Sequence, residues 1–169
     1  PGFLFETEGR IRMFFSAAKG EVNADNVQIQ RTLGQACAPH PDGPWEVPDA
    51  PILPLGEQIE NSSLYYEPDN DTWFLFTNHI GIDPAGREYT DAIWVYWSRN
   101  PTQWEPADKA VVLDGRNCSW SRNCIGMPSV VPTENRLALF YDAPGGDSIS
   151  HMGRDIGLAW LDVPLAPPA

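Results

Sequence analysis

Paired metal-ligand cysteines are missing from this sequence, as are long apolar runs, helical periodicity and any excess of basic residues. With three Cys and three His in 169 residues, and neither Cys-x-x-Cys nor paired Cys/His spacing, no zinc site is expected. No stretch approaches the roughly 18 consecutive apolar residues of a membrane-spanning helix, so no such span is expected. Lys and Arg number 11 against 23 Asp and Glu, for a net charge of −12. Nucleic-acid and anionic-membrane binding need a basic surface and are set aside. The balance fits a soluble protein acting on a neutral ligand, and equally one that keeps its charge for solubility alone. Because the chain begins at Pro1, the lack of a visible signal peptide says nothing about compartment.

What is present is strand grammar. Hydrophobic residues make up 42% and aromatics 11%, and 17 Pro and 14 Gly suit many short strands and turns. An apolar run ending in a polar residue occurs three times: Arg12–Ser16, Trp73–Thr77 and Leu137–Asp142. A second run follows each: Leu33–Ala36, Ile93–Ser98 and Ile156–Trp160. Both sets recur at steps of about sixty residues, the period of a repeated four-stranded unit. The expected fold is therefore all-β: a β-propeller of four-stranded antiparallel blades, with about three blades over roughly residues 1–56, 57–114 and 115–165. Three blades do not close a ring, since propellers typically have about four to eight. The chain is thus expected to be part of a larger propeller and to dissolve poorly alone, its partner being the rest of that ring.

Local expectations follow. Polar loops are predicted over Lys19–Asn26 and Asn78–Thr90, and a short edge strand over Ala50–Leu53 closes the first blade. Trp45 and Trp104 occupy matching places and are expected to pack between blades. Cys118 and Cys124 bracket five residues, a spacing open to a short-loop disulfide or to two free thiols, while Cys37 reads as a buried apolar residue.

Antiparallel order puts the start of a blade's first strand, the end of its second and the start of its third on one rim. That rim collects Glu60, Asn61, Asn78, His79 and Asp91 from the second blade, and Arg122, Asn123, Asp142, His151, Arg154 and Asp155 from the third. From the first it collects Asp25 and Asn26. Carboxylates, imidazoles, guanidiniums and amides together suit a sugar's hydroxyls and acid/base chemistry. Glu60 enters the innermost strand, where a carboxylate projects toward the axis and, paired with one from another blade, flanks a glycosidic bond. Asp91 precedes the aromatic run Trp94, Tyr96 and Trp97, where partial burial shifts its pKa or it holds a sugar hydroxyl. Gly153 allows a tight turn presenting Arg154 and Asp155, as an ion pair within the loop or with Arg154 clamping a substrate oxygen. Ala143–Asp147 lacks the Lys of a phosphate loop and opens no helix, which excludes a nucleotide site.

Gly9–Ser16, Asp42–Glu46, Ile59–Tyr66 and Gly153–Trp160 resemble the blade pattern of five-bladed propeller glycosidases. The closest likeness is to glycoside hydrolase family 43, with relatives in families 32, 62 and 117. The resemblance implies glycosidic-bond hydrolysis on plant or algal oligo- or polysaccharides, inverting, in an extracellular or periplasmic setting. Such enzymes set three carboxylates at the starts of innermost strands: an Asp base, an Asp that tunes pKa and a Glu acid. Glu60 falls on one of these; blade order implies the tuning position and its identity the acid, although Asn61-Ser62 replaces the usual Gly-Pro after the acid. The base lies upstream of Pro1 on this reading. No cofactor is implied beyond an axial calcium or sodium ion, and the resemblance places His151 near such an ion or near the bound sugar. Two other functions remain open: a non-catalytic carbohydrate-binding propeller, and a glycoside phosphorylase on the same fold.

Overall fold

The computed structural model describes residues 2–23 and 26–168, which form ten strands in three antiparallel sheets without an α-helix. The first sheet runs β1 (Gly2–Thr7), β2 (Arg10–Asn23), β3 (Asn26–Ala38). The second runs β4 (Ile59–Glu67), β5 (Thr72–Ile82), β6 (Glu88–Ser98), β7 (Lys109–Leu113), entered through a 3-10 turn at Leu55–Glu57. The third runs β8 (Gly126–Pro132), β9 (Arg136–Ala143), β10 (Asp155–Asp162). Each is a meander in chain order, because the linkers carry hairpin chemistry. Glu8 and Gly9, with φ of 55° and 70°, make the two-residue turn that matches strand twist between β1 and β2.

Both faces of the second sheet are covered, which explains why Trp73–Thr77 reads as an unbroken apolar run. Leu75, Tyr96 and Trp104 meet Phe14 and Leu33 of the first sheet. Phe74, Phe76, Ile93 and Val95 meet Ile125, Leu137, Leu139 and Tyr141 of the third. Burying each such side chain contributes roughly 1.5–3 kcal/mol. Strand β4 touches β1 on one side and β8 on the other, so the first strands of all three sheets converge. The outer face of the third sheet stays open: Ile156 is 80% exposed, and Leu158, Trp160 and Phe140 are exposed beside it.

Several local expectations give way. Lys19–Asn23 and Asn26–Gln30 extend the β2–β3 hairpin instead of forming a loop, since alternating residues on a two-stranded ribbon need no apolar face. Asp25 lies outside the described residues. The loop predicted over Asn78–Thr90 shrinks to 83–87, where the Asp83 carboxylate accepts the backbone N–H groups of Ala85 and Arg87. Ala50–Leu53 is no strand: Pro51 interrupts it, and among the described residues its backbone link to β3 is the Ile52 N–H to Leu33 carbonyl bond. Trp104 is buried between sheets, whereas Trp45 is half-exposed, in an irregular segment tied to β3 by the Cys37–Glu46 bridge next to it. Cys118 and Cys124 are buried and Cys37 half-buried, all three as free thiols. Cys118 Sγ lies against the Tyr141 hydroxyl, and Cys124 Sγ against Arg154 and Thr90.

Candidate functional site

Glu60 is the second residue of β4, at a bulge where register shifts between Glu60 and Ser63. The next residue, Asn61, has φ of 57°, a left-handed conformation that Asn tolerates better than other non-glycine residues. A bulge of this kind bends a strand and re-aims its side chains. All three sheets brace it. Ser16 Oγ of β2 accepts the Asn61 N–H at 3.1 Å. Thr77 Oγ1 of β5 donates to the Glu60 carbonyl at 2.9 Å. Asn78 Oδ1 accepts from Asn61 Nδ2 at 3.0 Å and from the Met127 backbone N–H of β8 at 3.1 Å. Asn61 Nδ2 also reaches Glu60 Oε1 at 3.4 Å.

Strand β8 repeats the device. Its register shifts between Gly126 and Ser129, and Met127 has φ of 53°. Gly126 pairs with Asp142 as Glu60 pairs with Asn78, so Gly126 holds in the third sheet the place of Glu60. It has no room for a side chain: a Cβ there would meet Thr90 Oγ1 at 2.6 Å. The carboxylate carried by the second sheet has no counterpart on the third.

Above Glu60 the β2–β3 and β5–β6 hairpins project past the bulge and are tied by Arg31 Nη2 to Glu88 Oε2 at 2.8 Å. That hydrogen bond raises the Arg31 pKa, with further support from the Glu88 and Glu60 charges. Glu60 thus faces a cationic group from the neighbouring sheet. The side chain of Glu88 and its own backbone serve two neighbours, since His151 Nε2 donates to the Glu88 carbonyl at 2.7 Å.

Asp91 lies in β6 beside the same level of the sheet. Burial pushes its carboxyl up, against the N–H groups of Trp94, Ala92 and His79 that favour the ionised form. Its indole partner, Trp94 Nε1, is 3.4 Å away. His79 is in strand β5, not in a loop, and stacks on Trp94 with centroids 4.4 Å apart and planes at 16°. Its Nε2 is 2.8 Å from the Tyr96 hydroxyl, which donates to Glu57 Oε2 at 2.5 Å. The Tyr96 oxygen therefore accepts, and Nε2 carries the proton. Burial first, then Lys109, lower the His79 pKa to about 4. Glu57 is raised by burial, but the Lys109 and Tyr96 hydrogen bonds outweigh this and hold it low. Lys109 Nζ pairs with Glu57 and stands 5.6 Å over the Trp94 ring. This network within the second sheet and its entry turn leaves His79 neutral, and the stacked His79 and Trp94 rings form the wall behind Asp91.

Of the remaining sequence-predicted residues, Arg122, Asn123 and Asp91 line one cleft of about 370 Å³ with Tyr89 and Ile149. Arg122 is paired with Asp147 at 2.5 and 2.9 Å, and Asn123 Nδ2 donates to the Asp147 carbonyl. His151 lines a second cleft of about 800 Å³ with Arg87, Glu88 and residues 147–152. Both clefts border the tip of the β5–β6 hairpin. Arg154 does not pair with Asp155. Its guanidinium forks onto Asp142 at 2.8 and 2.5 Å and reaches Cys124 Sγ at 2.9 Å and Thr90 Oγ1 at 3.3 Å. Asp155 is exposed at the start of β10, opposite Ala143. Sequence reasoning missed Glu57, Lys109, Arg31 and Glu88, which form two ion pairs, Glu57 with Lys109 and Arg31 with Glu88, from four separate segments with no local signal. Among the described residues no group of three or more metal-ligating side chains gathers.

No family model matches the chain, and no curated protein does. Solved structures do. A glycoside hydrolase superposes with a TM-score of 0.65 at 15% identity, over 98% of this chain and 56% of its own. A thermostable family-43 glycoside hydrolase gives 0.62 at 16%, over 97% and 51%. An exo-1,5-alpha-L-arabinanase from a bovine ruminal metagenomic library gives 0.61 at 12%, over 95% and 52%. The chain folds as part of a β-propeller. It spans about half the length of these propellers, and its three sheets are blades, with β1, β4 and β8 innermost.

Proposed function

We propose that this propeller is a glycosidase acting on plant or algal oligo- or polysaccharides by carboxylate acid/base catalysis. The observation that carries the reading is the bulge that aims Glu60 from an innermost strand where three blades meet, beneath two raised hairpins. Fold neighbours that cleave glycosidic bonds support it. Glu60 acts at the glycosidic bond as acid or as the group that tunes it. Asp91, kept protonated to higher pH by burial, is the second carboxyl, suited to proton donation. Asn61 and Asn78 brace Glu60, Arg122 and Asn123 border the substrate cleft, and His151 with Arg154 and Asp142 fixes the loop that lines it. The complete ring has five blades, inverts configuration with water entering between separated carboxylates, and works outside the cytoplasm. A calcium or sodium ion on the axis belongs to this reading as an accessory, with no step assigned to it.

One observation favours the second reading, a carbohydrate-binding propeller without turnover: Gly126 occupies in the third blade the place that Glu60 takes in the second. A phosphorylase needs a free basic pocket, and Arg122 and Arg154 both hold carboxylates. Assaying sugar release from aryl glycosides and plant or algal oligosaccharides, with the complete polypeptide and with Glu60→Gln, separates the two. Release lost in the variant supports the glycosidase; sugar binding without release by either supports the lectin.

A further inference from the structure

Asn78 is fully buried, yet it is poorly used as a packing residue. Its Oδ1 accepts two hydrogen bonds, from Asn61 Nδ2 and from the Met127 N–H. Two donors aimed at one atom identify that atom as the oxygen. Its Nδ2 is buried and has no hydrogen-bond partner among the described residues. A buried amide donor without a partner is unfavourable, so the side chain is kept for its oxygen. That oxygen joins the left-handed bulge residues of two blades, Asn61 and Met127. Asn61 has one further polar contact through Nδ2, and it is Glu60 Oε1.

We propose that Asn78 is a positioning residue that aims Glu60 through the Asn61 side-chain amide and couples that aim to the seating of the third blade. Held by Asn78, the Asn61 amide presents an N–H to the Glu60 carboxylate. If Asn78 is removed, the amide turns to other partners and Glu60 loses its fixed direction. Asp at position 78 keeps both accepted bonds, because it offers an oxygen at the same place. The catalytic consequence rests on the glycosidase reading; the hydrogen-bond relay does not.

The test uses the full chain with Asn78→Ala, Asn78→Asp and Asn61→Gly, the last chosen because glycine suits a positive φ and keeps the backbone. Hydrogen exchange of the Asn61 side-chain amide, followed by NMR, is expected to be slow in the parent and in Asn78→Asp. In Asn78→Ala it is expected to be faster by tenfold or more. Unchanged protection in Asn78→Ala overturns the relay. On the substrate that the parent cleaves, Asn78→Ala and Asn61→Gly each lower kcat by about 10–100-fold with KM held, as expected for a misaimed group. Asn78→Asp restores most of the kcat. A loss of thermal stability with kcat intact makes Asn78 merely structural and overturns the proposal. Should the parent cleave nothing, the glycosidase reading fails, and the exchange data alone still decide the relay. If Asn78→Ala does not fold, Asn61→Gly supplies the same kinetic comparison, and Asn78→Leu, which keeps the volume and removes the oxygen, supplies the exchange comparison, with unchanged protection again overturning the relay.

Discussion

Arg154→Met makes the sharpest demand on the architecture. Its guanidinium joins strand β9 through Asp142, the segment before β8 through Cys124, and strand β6 through Thr90. The side chains are 11% and 24% exposed for Arg154 and Asp142, so water replaces little of what the substitution removes. Breaking a buried pair by deleting one partner costs about 3–5 kcal/mol, because the other charge is left uncompensated. For a chain of this size each kcal/mol lowers Tm by about 2–4 °C, which predicts a fall of about 6–20 °C by circular dichroism at pH 7. Removing both charges, with Arg154→Met and Asp142→Leu together, is expected to recover most of that loss. A single variant within about 2 °C of the parent would refute the argument. So would a double variant no better than the single, which would mean that Arg154 acts through packing alone.

Three further outcomes are expected. The folded His79 imidazole, held near 4 against an ordinary value of 6.5, binds fewer protons than the unfolded chain between those limits. Its contribution to stability is therefore fully present above pH 6.5 and lost as pH falls toward 4; an NMR titration midpoint above 6 would contradict this. Trp104→Ala should cost about 3–5 kcal/mol and Trp45→Ala under about 1.5 kcal/mol, since only Trp104 is enclosed between blades; equal losses in denaturant titrations would contradict the packing. Thiol titration in denaturant without reductant should find three reactive thiols per chain, and a count of one would mean a disulfide.

The strands were legible because burial on one or both faces imposes alternation or a continuous apolar run, as in Trp73–Thr77 and Leu137–Tyr141. The rim was legible because antiparallel order alone brings Glu60, Asn78 and Asp91 to one end of a sheet. The hairpin extensions were not, since Lys19–Asn23 is polar apart from Val22 and Ile80–Ile82 is interrupted by Gly81, so both read as loops. Ion-pair partners were harder still. Arg154 meets Asp142, twelve residues away, in preference to adjacent Asp155, because the β9–β10 register sets Asp155 opposite Ala143 and leaves Arg154 beside the end of β9. Glu57, Tyr96 and Lys109 converge from three elements, and no spacing in the sequence announces that. The bulge at Asn61 was also silent, since a left-handed Asn looks like any other polar residue until the register shift is seen.

The central claim is that Glu60 does chemistry on a glycosidic bond. Its most direct test is reducing-sugar release by the complete polypeptide from a panel of plant and algal oligosaccharides, parent against Glu60→Gln, with folding checked by circular dichroism. The account predicts release by the parent and its loss, by 100-fold or more, in a variant that remains folded. Release that survives the substitution would contradict it.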